Sequence, residues 1–218
     1  MRTGAEYVSS LADGRSVYVD GQLVDDVASH PAFRGVVQTM AAVYDAAGRP
    51  DSPLVDPETG QLAIYTMPRT REQHDRRKAA LEEWSRLTHG FIGRGPDHVA
   101  GLLAGFASRP GLFDTEHHRL GASVLAYRED AAERGLWITN SIVPPQMNAN
   151  DPTSRVTPVR LLEETADGIV VDGAQMLGTG AAVADAIFVT SVRPLAAGEE
   201  ERALSFVVPV NAPGLKLI

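Results

Sequence analysis

Residues 131–143, Ala-Ala-Glu-Arg-Gly-Leu-Trp-Ile-Thr-Asn-Ser-Ile-Val, decide the fold, because the hydrophobic period changes inside them. Up to Gly135 apolar residues recur at helical spacing. Beyond it, short β-branched or aromatic runs are separated by turn residues. The runs are Leu136-Trp137-Ile138, Ile169-Val170-Val171, Ala186-Ile187-Phe188-Val189-Thr190 and Leu204-Ser205-Phe206-Val207-Val208. Helices followed by strands predict an α+β chain, or a helical region and then a β-domain, rather than alternating βαβ units. The division falls at 1–134 and 135–218.

Upstream of that switch, Thr3 and Glu6 have capping-box spacing for a short helix that Gly14 ends. Val17-Tyr18-Val19 and Gln22-Leu23-Val24 flank Asp20-Gly21, a hairpin signal. A helix is predicted from Pro31, capped by His30, through Phe33, Val37, Met40, Val43 and Tyr44 to Gly48. Asp51 to Gln61 reads as a turn-rich loop. Thr70 and Gln73 open a further helix running toward His89, Pro96-Asp97 opens one through Ser108, and another covers Thr115 to Glu133. The apolar ending Pro213-Gly214-Leu215-Lys216-Leu217-Ile218 reads as a strand that stops, which predicts that the chain is the front part of something longer.

Composition removes several classes of function. The 218 residues are 44% hydrophobic and 22% charged, with no apolar run near the roughly 18 residues of a membrane span. No cysteine is present, which excludes disulfides, a thiolate nucleophile and Cys-ligated zinc or iron–sulfur sites. A net charge of −8 argues against nucleic acid or anionic membrane as the main partner. The start, Met1 to Glu6, has no apolar signal core, so a cytoplasmic location is expected.

Two loops stand out. Arg94-Gly95-Pro96-Asp97-His98 places an arginine beside a helix start, where free N–H groups favour an anionic oxygen; the same residues also read as an ordinary Gly-Pro turn. In Thr139 to Asn148 a strand end meets Pro144-Pro145, which takes the chain out of the sheet; this also reads as a plain loop. The six histidines lack metal-ligand spacing, and Glu116 to Arg119 reads as a solvated helix face. Gly178-Thr179-Gly180 lacks the third glycine of a dinucleotide fingerprint, Val183 standing there, and no GxSxG occurs.

The chain resembles the 4-hydroxyphenylacetate 3-hydroxylase family, oxygenase components of two-component flavin monooxygenases. The resemblance rests on Thr3-Gly4-Ala5-Glu6-Tyr7, Ser10-Leu11, Asp13-Gly14-Arg15, His30-Pro31-Ala32-Phe33, Pro68-Arg69-Thr70, Gly93-Arg94 with Pro96-Asp97, and Pro145-Gln146. It continues through Gly173-Ala174-Gln175-Met176-Leu177, Thr179, Phe206-Val207-Val208-Pro209 and Ala212-Pro213-Gly214. It implies an acyl-CoA-dehydrogenase-like fold, with an N-terminal helical domain, a middle β-domain and a C-terminal helical bundle that this chain lacks. It also implies a separate flavin reductase supplying reduced FAD, a C4a-hydroperoxide formed with O2, and hydroxylation of a small aromatic substrate by a homo-oligomer.

Carried over by position, Arg94 resembles the family arginine near flavin and substrate. Gln146, Met147 and Asn148, with Thr153, Ser154 and Arg155, resemble the flavin-binding loop, and Thr179 resembles the threonine beside the flavin ring. Thr190 and Ser191 fall at the substrate-contacting stretch, although a partly exposed strand end reads equally well there. His98 stands where phenol-hydroxylating members usually carry tyrosine, and Asn140 where they carry histidine. An amide exchanges no proton near neutrality, so His98 is expected to take over part of that role. These departures point to a different substrate, and they keep open a flavin-binding homologue without hydroxylase turnover or a non-hydroxylating flavoenzyme of the same fold.

Overall fold

In the computed structural model the described residues are 1–90, 95–116, 118–145, 157–166, 168–192 and 194–218. Helix α1 (Gly4–Ser10) carries the capping box, Thr3 and Glu6 bonding each other's backbone N–H reciprocally. Strands β1 (Tyr18–Val19) and β2 (Gln22–Leu23) form the hairpin, with Asp20 and Gly21 both at positive φ. Helix α2 (Arg34–Ala47) starts later than Pro31. His30 to Phe33 close a separate turn, and the His30 ring accepts the Ala32 N–H instead of capping the helix.

Helix α3 (Arg71–Leu87) has the second capping box, between Thr70 and Gln73, and α4 (Pro96–Ser108) begins on its proline as expected. Helix α5 (Gly121–Arg134) is shorter than the sequence predicts. Thr115 Oγ1 and the Asp114 carboxylate take the N–H groups of His118 and Gly121, so turn chemistry replaces the first helical turns. The described part of the 116–119 run is therefore not a helix face; His117 lies outside the described residues. Gly135 closes α5 in the left-handed conformation, where the helical period ends.

Strand β3 (Ile138–Ser141) begins two residues after Leu136. It lies parallel to β6 (Ala186–Thr190), which pairs antiparallel with β7 (Ser205–Pro209) in a sheet of order β3-β6-β7. Between β3 and β6 the hairpin β4 (Arg160–Thr165) and β5 (Gly168–Asp172) stands apart. Strand β4 went unpredicted because Leu161-Leu162-Glu163-Glu164 breaks the two-residue alternation, and a register shift lies there. The ending 213–218 is not a full strand: it makes a single parallel bridge, Leu217 to Val17. Among the described residues no helix is long and apolar enough to cross a membrane.

Strand alternation gives the sheet two faces. Ile138, Ala186 and Phe188 join the main core with Tyr7, Met40, Tyr44, Val99 and Leu103. Ile187 and Val189, one residue out of step, form a smaller cluster with Ala181 and Val210.

Candidate functional site

The face of β3 and β6 toward α4 carries Asn140, which lies opposite Phe188 in register, and Thr190 one pleat further on. The Phe188 ring packs edge-on against Phe106 of α4, with centroids 6.1 Å apart. Asn140 is only 2% exposed. Its amide makes no hydrogen bond to another described residue. His98, in the first turn of α4, is exposed, and no hydrogen bond joins it to Asn140 among the described residues. Thr190 and Ser191 are half-buried, the Thr190 hydroxyl lying 2.7 Å from that of Ser205. Arg94, Gln146, Met147, Asn148, Thr153, Ser154 and Arg155 lie outside the described residues.

The opposite face opens on a cleft of about 1060 Å3 lined by Trp137, Ser141, Ile187, Val189, the 171–183 segment and the 212–218 ending. The Thr139 hydroxyl donates to the Thr179 carbonyl at 2.5 Å and the Ser141 hydroxyl to the Met176 carbonyl at 2.9 Å. These two bonds hang the 176–179 segment from β3. The segment is bent, with Leu177 at φ 63° and Gly180 at φ 80°. A Cβ on Gly180 would lie 2.9 Å from Trp137 Cζ2, so this chain passage requires glycine. Among the described residues, the backbone N–H groups of Leu177, Gly178, Thr179 and Gly180 reach no backbone acceptor. The structure thus separates the predicted residues: Asn140 and Thr190 on one face, Thr179 on the other.

The first fifteen residues pin the far end of this wall. The Tyr7 hydroxyl donates to the Val183 carbonyl at 2.9 Å, and Arg15 Nη1 donates to the carbonyls of Ala182 and Ala184, both at 2.9 Å. Asp13 grips the same guanidinium through both carboxylate oxygens at 2.8 Å. Arg2 pairs with Asp185, whose carboxylate also takes the Trp137 N–H at 2.6 Å. Burial acts to lower the Arg2 pKa, but hydrogen bonding to Asp185 and the charges of Tyr44 and Asp185 raise it overall. Burial pushes the Tyr44 hydroxyl up to about 12 despite the neighbouring Arg2.

Thr139, Ser141, Leu177, Arg2 and Arg15 were missed as site-shaping residues. Strand alternation was the available signal for Thr139 and Ser141, since they flank Asn140 and must face the other way. Nothing local marks the long-range role of Arg2. No group of three potential metal ligands occurs among the described residues.

Known proteins share this fold. The chain is 34% identical to a 4-hydroxyphenylacetate 3-monooxygenase oxygenase component of Geobacillus, over all of this chain and 46% of that protein. It is 33% identical to the oxygenase component of a 4-nitrophenol 2-monooxygenase of Rhodococcus, over 99% of this chain and 42% of the relative. The structure of the oxygenase component HpaB of 4-hydroxyphenylacetate 3-monooxygenase, complexed with FAD and 4-hydroxyphenylacetate, superposes with a TM-score of 0.85. It covers 98% of this chain and 46% of that one, at 31% identity. An archaeal 4-hydroxybutyryl-CoA dehydratase from N. maritimus shares the fold, with a TM-score of 0.78 at 19% identity. The chain spans less than half the length of these curated relatives. Residues 3–218 match the model of the 4-hydroxyphenylacetate 3-hydroxylase N-terminal family, and the chain belongs to that family.

Proposed function

We propose that this chain supplies the helical and β portions, 1–134 and 135–218, of an acyl-CoA-dehydrogenase-like oxygenase component. The whole protein uses reduced FAD and O2, by way of a flavin C4a-hydroperoxide, to hydroxylate a phenolic or other electron-rich aromatic substrate. The observation that carries this reading is the cleft wall: four consecutive backbone N–H groups, Leu177 to Gly180, without backbone acceptors, bordering a largely apolar cleft of about 1060 Å3. A flat ring system rich in acceptors fits such a wall. When bound, reduced FAD supplies the electrons that activate O2. Leu177 to Gly180 donate hydrogen bonds to it, and Thr139 and Ser141 hold those donors in place.

The substrate lies at the C-terminal edge of the sheet, where β3 and β6 end and its two faces meet, so that Asn140, Thr190 and Ser191 contact it while its ring reaches the flavin. Arg94 and His98 are the further groups that act on its oxygen. The Asn140 amide donates a hydrogen bond to the substrate oxygen and carries no charge, so removal of the phenolic proton falls to His98 or to solvent. Surrounding apolar residues such as Phe106 and Phe188 exclude water from the reacting groups. A separate reductase delivers the flavin, and the protein works as a cytoplasmic homo-oligomer.

The uncharged Asn140 favours a second reading, a homologue that binds flavin without hydroxylating. Reduced flavin from a reductase, O2 and a panel of phenols, followed by mass spectrometry for one added oxygen, decides between them. Peroxide as the sole product, with every aromatic returned unchanged, overturns the oxygenase reading.

A further inference from the structure

Among the described residues, Asp20, Asp51, His89 and Leu177 are the non-glycine residues with positive φ. Aspartate and histidine enter this left-handed region comparatively readily, whereas a bulky aliphatic side chain does not. Leu177 stands at φ 63°, which costs about a factor of 5–30 in the folded-to-unfolded ratio. Such strain persists only where the surrounding structure holds it.

Two hydroxyls hold it here. Ser141 donates to the Met176 carbonyl, one residue before Leu177, and Thr139 to the Thr179 carbonyl, two residues after it. Both donors belong to β3 and are buried, at 6% and 2% exposure. What they hold out on the cleft wall is a leucine that is 62% exposed. A solvated leucine gains nothing from the strain, because glycine at 177 would follow the same path without it. The backbone N–H groups from Leu177 to Gly180 reach no backbone acceptor. A group that covers this wall therefore has to bring apolar surface to the side chain and hydrogen-bond acceptors to the backbone beside it. A flavin ring carries both. A packed helix brings apolar surface, but its carbonyls are engaged within the helix except in the last turn.

We infer that Leu177 is a flavin-contacting residue, whose side chain covers apolar ring surface while the neighbouring N–H groups meet the ring's acceptors. Thr139 and Ser141 keep it there against the backbone strain. The inference rests on the flavin reading above and adds to it a residue that the fold is strained to present.

Two measurements on the full-length protein test it: the denaturant midpoint without flavin, and the Kd for reduced FAD under anaerobic conditions. In Leu177→Gly the relief of strain exceeds the extra freedom gained by the unfolded chain, so the flavin-free midpoint should not fall. The Kd should nonetheless rise about tenfold, the size expected for one partly covered leucine side chain. Leu177→Asn, polar and tolerant of the left-handed region, should give the same pair of results, and Leu177→Met should retain most of the affinity. A fall in the flavin-free midpoint of both Leu177→Gly and Leu177→Asn assigns the leucine to a protein neighbour and overturns the inference, whatever the affinity. A parent protein that does not bind reduced FAD removes the flavin reading and the inference together. Binding by the parent that both variants leave undiminished removes the inference alone.

Discussion

Asp185 accepts both terminal guanidinium nitrogens of Arg2, at 2.9 and 2.6 Å, across 183 residues of sequence. The same carboxylate takes the Trp137 N–H just before β3, and Asp185 itself immediately precedes β6. One ion pair therefore joins the amino terminus to the start of both parallel strands. The Arg2 guanidinium also stacks over the Tyr44 ring, 4.4 Å from its centroid, and donates to that hydroxyl.

Both side chains of the pair are nearly buried, at 12% and 14% exposure, so removing one partner strands the other. Arg2→Met should lower the unfolding free energy by about 3–5 kcal/mol in a urea titration. A loss below about 0.5 kcal/mol, the range of ordinary surface substitutions, contradicts the latch.

Gly180→Ala sets a Cβ against the Trp137 ring at a left-handed backbone position, where a non-glycine residue costs about 1–2 kcal/mol. The expected result is weaker binding of reduced FAD by about tenfold, or ~1.4 kcal/mol, with an unchanged far-ultraviolet circular dichroism spectrum. Undiminished flavin affinity would show that this wall does not face the cofactor.

Burial acts to raise the Asp13 carboxyl, but hydrogen bonds and charge from Arg15 outweigh it and hold the group below its ordinary value. A depressed carboxylate stabilises the fold fully above its unfolded pKa, about 3.9, and loses that contribution as pH falls through the lower folded value. Asp13→Asn should therefore cost more stability at pH 6 than at pH 3 in paired denaturant titrations. An equal cost at both pH values contradicts the linkage.

Asn140→His places a titratable ring among the groups proposed to meet the substrate oxygen. Hydroxylation by the variant should rise and follow a pH profile with a midpoint below the ordinary imidazole value of about 6.5, because burial disfavours the charged ring. A folded variant whose rate and pH profile match the parent protein shows that position 140 does not meet the reacting oxygen.

The local signals in the sequence carried much of the fold. Thr3 with Glu6, Thr70 with Gln73, Asp20-Gly21 and Pro96 each act within a few residues, and each forms the cap, turn or helix start expected of it. Pro31 and the 115–120 run misled because neighbouring side chains captured the backbone N–H groups on which helix starts depend. The two-faced character of the site was legible only in part. Alternation places Asn140 opposite Thr139 and Ser141, but the attachment of the 176–179 segment to those hydroxyls is a long-range contact with no local pattern. Asp13-Gly14-Arg15 could be recognised as a motif, yet its task, holding the Ala182 and Ala184 carbonyls, depends on a chain passage far downstream.

The most direct test of the oxygenase account is stopped-flow absorbance of the full-length protein, loaded anaerobically with reduced FAD and mixed with O2. The account predicts a persistent C4a-hydroperoxide spectrum before oxidised flavin appears, and shortening of its lifetime by Gly180→Ala. Immediate formation of oxidised flavin and free peroxide, with and without phenols present, contradicts it.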